Sequence, residues 1–110
     1  MTRPAPQQTS SQRKIRVLFL AEAVTLAHVA RPLSLAGSLD ASRYDIHFAH
    51  CPRYADLVGD QHFTEHAIHS IAPVEFAAAL AAGRPLYDLE TLKGYVEQER
   101  RLLDELRPDV

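Results

Sequence analysis

The sequence predicts an α/β domain built on a parallel sheet. Three observations carry this. A short continuous apolar run, Ile15 to Ala21, has the branched and aromatic content of a strand covered on both faces. A helical spacing follows it at Val29, Leu33, Leu35, Ala36 and Leu39. A second strand pattern, Tyr44 to His50, then follows, which completes a βαβ unit.

Each element has a local signature. Residues 1–12 are dominated by Pro, Gln, Ser and Thr, cannot bury apolar surface, and read as a disordered leader. The folded domain begins at Arg13 and extends to Val110. After the first strand comes a loop, Glu22 to Ala27, and then a helix from His28 to Leu39. Pro32 lacks a backbone donor and is expected near that helix's start. Asp40 to Arg43 forms the return turn. Pro52 to Val58 reads as a short helix ended by Gly59, and Phe63 to Ile71 as a third strand. Pro73 opens a helix from Val74 to Ala82 that Gly83 ends.

The last helix is the most sharply marked. Asp88 is placed to cap it, and Leu89, Leu92, Val96, Leu103 and Leu106 form an apolar stripe expected to pack on the sheet. The dense charge on the remaining positions reads as a solvated face with pairs such as Glu97 to Arg101. Arg107-Pro108-Asp109 breaks the helix, and Val110 reads as the first residue of another strand. The expectation is a Rossmann-like sheet left incomplete at its C-terminal side. Its unpaired edge would favour self-association.

Composition excludes several classes. The chain has 110 residues, of which 46% are apolar and 24% charged, as in an ordinary globular domain. A formal charge of −2, with acidic and basic residues interleaved, argues against nucleic acid as a partner. Nothing reaches the roughly 18 apolar residues of a membrane span. Cys51 is the single cysteine, which rules out an internal disulfide and favours a reducing, cytoplasmic compartment.

The loop between the first strand and first helix is the candidate for chemistry, because open α/β sheets bind ligands beyond the carboxyl ends of their strands. His28 falls there, at a helix N-terminus. An imidazole can take a proton from an attacking alcohol, and the positive helix end disfavours imidazolium. The ordinary alternative is a helix-capping or half-buried histidine. His62, His66 and His69 would gather on one face only if they were helical. They read as loop and strand, so no metal site is expected. Arg53 and Tyr54 follow a strand end. Tyr87 and Tyr95 could line an apolar, aromatic pocket. Cys51 has no identifiable activating base.

Lys14 to Leu20, the loop, and then His28-Val29-Ala30-Arg31-Pro32-Leu33-Ser34-Leu35-Ala36 resemble the opening of GT-B glycosyltransferases. The nearest group is the UDP-glycosyltransferases, with the macrolide and antibiotic glycosyltransferases among them. Tyr44 to His50, Pro52 to Val58 and Leu103 to Val110 also resemble that family's second strand, short helix and later helix-turn. The resemblance implies the N-terminal, acceptor-side half of such an enzyme. His28 would be the general base, with Thr25, Leu26 and Arg53 near a small-molecule or lipid acceptor. A nucleotide sugar would be the co-substrate, bound chiefly by a C-terminal domain, and no cofactor or metal is implied. The aspartate that often orients the histidine would lie beyond Val110, and Asp109 is not assigned that role. Thr25-Leu26-Ala27 stands where the family usually has glycines, so close approach of this loop to donor phosphate is not implied. Two other readings stay open: a GT-B-shaped sugar-nucleotide epimerase, and a non-catalytic flavodoxin-like module.

Overall fold

The computed structural model describes residues 13–22, 25–59 and 61–110. The leader expected over residues 1–12 lies outside them. Three parallel strands form the sheet in the order β1-β2-β3: β1 is Ile15–Ala21, β2 Tyr44–His50 and β3 Thr64–Ala67. β1 and β2 pair along their whole lengths, with Val17 opposite Ile46 and Phe19 opposite Phe48. The first crossover is α1, Leu26–Gly37. The second is a 3₁₀ turn, Pro52–Tyr54, that runs into α2, Ala55–Val58. Helices α3, Pro73–Ala82, and α4, Leu89–Leu106, follow β3.

Local chemistry accounts for most boundaries. Gly59 and Gly83 end α2 and α3 at positive φ, where glycine has no Cβ to clash. Pro73 occupies the first turn of α3, where its missing N–H costs nothing. Asp88 caps α4 by accepting from the Thr91 N–H at 2.8 Å. Past α4, Val110 donates to the Arg16 carbonyl (3.1 Å) and accepts from the Leu18 N–H (3.0 Å). Those are two rungs of a parallel ladder on the free edge of β1, as expected for strand entry at that residue. The spatial order Val110-β1-β2-β3 is that of a Rossmann-like half.

Three expectations need correction. α1 starts at Leu26, two residues before His28, so Pro32 lies inside the helix. Its missing N–H leaves the His28 carbonyl without the usual donor four residues on. β3 stops at Ala67 rather than Ile71. The backbone beyond it turns to side chains of α4: Gln98 brackets the His69 N–H and carbonyl, and the Ile71 N–H donates to the Tyr95 hydroxyl at 2.9 Å. The α4 stripe is not the packed face. Leu89, Leu92, Val96 and Leu103 are exposed, whereas Leu102 is buried and Tyr95, Gln98, Glu99 and Leu106 are half-buried.

The core lies between the sheet and α1-α2. Ala21, Val29, Ala36, Ile46, Phe48 and Val58 are buried together, and Phe48 stacks between Phe19 and Phe63. The arrangement holds the carboxyl ends of all three strands on one side.

Candidate functional site

The strand ends place chemistry-bearing residues along one edge: Glu22 just past β1, His50 at the last position of β2, and Glu65 and His66 in β3. Thr25 and His28 stand at the opening of α1 beside them.

His28 is exposed, in the first turn of α1. Its Nδ1 lies 3.3 Å from the Thr25 hydroxyl. Thr25 is the residue before the helix, yet its side chain makes no capping bond, which leaves the hydroxyl to the ring. Thr25, which the resemblance implies lies near an acceptor, has its hydroxyl within hydrogen-bond distance of the His28 ring. Leu26, 53% exposed, presents an apolar side chain in the same turn. Arg53 is exposed on the 3₁₀ turn after β2, on a separate loop.

Glu22 carries no signal in the sequence, being one polar residue in a loop. In the fold its carboxylate accepts from the Tyr87 hydroxyl at 2.6 Å. Tyr87 packs edge-on against Tyr95, with centroids 5.7 Å apart. Burial, then the Glu22 carboxylate, push the Tyr87 phenol well above the usual tyrosine range, so it stays a donor. The two tyrosines thus tie α4 and the segment before it to the end of β1. Tyr87 also lines a cavity of about 580 Å³ between α3 and α4, with Glu75, Arg84 and Asp88.

His50, which the sequence puts at the end of the second strand and reads first as structural, is buried there. Its side chain is 4% exposed. Nδ1 sits 3.2 Å from the Cys51 carbonyl and Nε2 2.9 Å from Glu65 Oε1. Cys51 is half-buried against the core.

His47 and His66 form a different structure. His47 Nδ1 and His66 Nε2 are 2.8 Å apart, and His47 Nε2 is 3.2 Å from Asp45 Oδ2. The same Asp45 oxygen accepts from Arg16 Nε at 2.7 Å, and Arg16 Nη1 donates to the Leu106 carbonyl at 2.6 Å. Burial works to raise the Asp45 carboxyl, but the bonds from Arg16 and His47 outweigh it and hold it below the usual carboxylate range. Burial, then the neighbouring His47, lower His66. His69 lies edge-on to Tyr95. Among the described residues no three His, Cys, Asp or Glu side chains are grouped to hold a metal ion. No helix of the described residues is long and apolar enough to cross a membrane.

Fold and site together define an α/β domain whose carboxyl strand edge carries histidines and carboxylates. Comparison with known proteins points to a particular group. The chain is 50% identical over 109 residues, 99% of its length, to a PGL/p-HBAD biosynthesis rhamnosyltransferase of Mycobacterium bovis BCG, and equally to one of Mycobacterium tuberculosis. It is 47% identical over 98 residues to a PGL/p-HBAD biosynthesis glycosyltransferase of M. tuberculosis. The same identity over the same length relates it to an M. bovis protein named as an inactive PGL/p-HBAD biosynthesis glycosyltransferase. The chain spans about a quarter of the length of these relatives: 24% of the rhamnosyltransferases, 23% of the glycosyltransferase and 27% of the inactive protein. No protein-family model matches the chain, and no solved structure matches it.

Proposed function

We propose that this chain is the N-terminal, acceptor-side part of a GT-B glycosyltransferase, with His28 as general base. The observation that carries the proposal is an exposed histidine at the carboxyl edge of the sheet, in a chain half identical to a rhamnosyltransferase across nearly its whole length. The donor is a nucleotide sugar, by the relatives' names a rhamnosyl or other glycosyl donor, and the acceptor is a hydroxyl-bearing small molecule or lipid. The lone Cys51 suits a cytoplasmic location.

The chemistry follows from the geometry. When Nδ1–H donates to the Thr25 hydroxyl, Nε2 keeps its lone pair and faces solvent. An acceptor hydroxyl bound there gives its proton to Nε2 as its oxygen bonds to the anomeric carbon. The bond from that carbon to the donor phosphate breaks, and the nucleoside diphosphate leaves with the electron pair. Thr25 orients the ring through that contact, and its hydroxyl can accept from Nδ1–H in the tautomer the reaction uses. Leu26 offers apolar contact to the acceptor, and Arg53 a charged one from the neighbouring loop.

The relative named as inactive shares this stretch at the same identity as an active-named one, so similarity alone does not establish the base. The decisive test is a chimera. This chain replaces the matching quarter of the M. bovis rhamnosyltransferase, and sugar transfer is measured. The chimera is expected to retain transfer, and His28→Ala to lower kcat by about 10²–10⁴-fold, the range for loss of an acid–base group. Unchanged turnover in His28→Ala would refute the base assignment.

A further inference from the structure

The His50–Glu65 pair lines a cavity of about 310 Å³ at the carboxyl ends of β2 and β3, together with Pro52, Ala55, His66 and Ala67. We infer that this cavity is a subsite for a neutral, hydroxyl-bearing ring, with Glu65 its recognition carboxylate and His50 the residue that positions it. The inference rests on the acceptor-side reading above for its place in function, and it names the chemistry that side would recognise.

Proton accounting supports it. A carbonyl oxygen only accepts, so the short approach to the Cys51 carbonyl assigns a hydrogen to His50 Nδ1. One further proton lies in the Nε2 to Oε1 contact, on the histidine or on the glutamate. In both arrangements the pair is neutral as a unit and His50 has no lone pair to offer. The nearly complete burial of His50 therefore serves to aim Glu65, which is 46% exposed. Among the described residues, Glu65 makes its hydrogen bond to His50 alone, through Oε1. Oε2 remains an acceptor for an O–H.

The walls narrow the ligand class. No lysine or arginine is among the lining residues and Glu65 is, so the cavity offers a phosphate no permanently charged cation. Pro52, Ala55 and Ala67 supply apolar wall, suited to the C–H face of a saturated ring. The volume is at the small end of ligand sites, which suits a single ring and not a nucleotide sugar. Carboxyl strand ends are also where α/β sheets take their ligands.

The test is an NMR titration of the 110-residue chain with methyl α-glucopyranoside, alongside glucose 6-phosphate and zinc chloride. Saturable shifts of the Ala55 and Ala67 amides are expected with the glucoside, half-complete on the order of millimolar. Glu65→Ala should raise that midpoint by about tenfold or more, and Glu65→Gln, which keeps an acceptor oxygen, by less. Glu65 is exposed, so both variants are expected to fold. Absence of a saturable shift, an unchanged midpoint in Glu65→Ala, or a stronger response to glucose 6-phosphate or zinc would overturn the subsite. The titration reads ring binding at Glu65 and the chimera assay reads proton transfer at His28, so one can fail while the other stands.

Discussion

The two faces of the sheet are built on opposite principles. On the α1-α2 face, Phe19, Ile46 and Phe48 alternate inward and meet Val29, Ala36 and Val58, and polar groups enter only at the carboxyl edge, where His50 packs beside Phe48 and pairs with Glu65. On the α4 face, the residues between them in register, Arg16, Asp45 and His47, form a hydrogen-bonded ladder that reaches His66 and the last carbonyl of α4. The first face is held by area removed from water, which is non-directional and tolerant of repacking. The second is held by paired polar groups, whose geometry is specific and whose loss leaves unsatisfied partners. The apolar face is expected to supply most of the stability, and the polar one ties the end of α4 to β1 through Arg16.

The largest test of this contrast removes the centre of the apolar face. Phe48 is fully buried and stacked by two phenylalanines. Phe48→Ala should cost about 3–5 kcal/mol, as large-to-small core changes do. Denaturant unfolding of the 110-residue chain measures it. A loss below about 1 kcal/mol would mean that the apolar face is not the main store of stability.

The sequence made the first face legible and not the second. Strands β1 and β2, the α2 and α3 stops at Gly59 and Gly83, and the Asp88 cap follow from short-range patterns, and the structure places them there. The face of α4 does not follow from its own residues. Leu89, Leu92, Val96 and Leu103 satisfy helical periodicity, yet the packed side lies about a third of a turn away at Tyr95, Gln98 and Leu102. The choice depends on what the helix meets: backbone at His69 and Ile71 that needs side-chain partners, and a sheet face that is itself polar. Those facts exist only once strand register is known. The pairing of His47 with His66 and of His50 with Glu65 was hidden for the same reason, since both join strands through a register the sequence does not print. Thr25 and His28, three residues apart at one helix start, were within reach of local reasoning.

A smaller effect sharpens the comparison on α4. Leu102 and Leu103 are neighbours in sequence with opposite environments, 8% and 49% exposed. Leu102→Ala should cost about 2–3 kcal/mol. Leu103→Ala should change stability by no more than about 0.5 kcal/mol. The same unfolding measurement separates them, and equal losses would mean that the leucine stripe is buried after all.

The smallest expected effect is a pH dependence of the polar face. Burial, then the proximity of His47, hold His66 below its ordinary value of 6.5 in the folded chain. The unfolded chain therefore binds the proton more readily, and stability falls with falling pH wherever it holds more protons than the fold. Stability from this group is complete above the unfolded value, and declines as pH falls from there to the lowered folded value. Asp45 acts in the same direction but lower on the scale: its lowered carboxyl stabilises above 3.8 and loses that as pH falls further. His66→Gln should flatten the first slope and leave the second. Unfolding midpoints taken between pH 7 and pH 5 measure it. A slope that survives His66→Gln unchanged would assign the proton to another histidine, and would break the link between the hydrogen-bonded ladder and the acid sensitivity of this face.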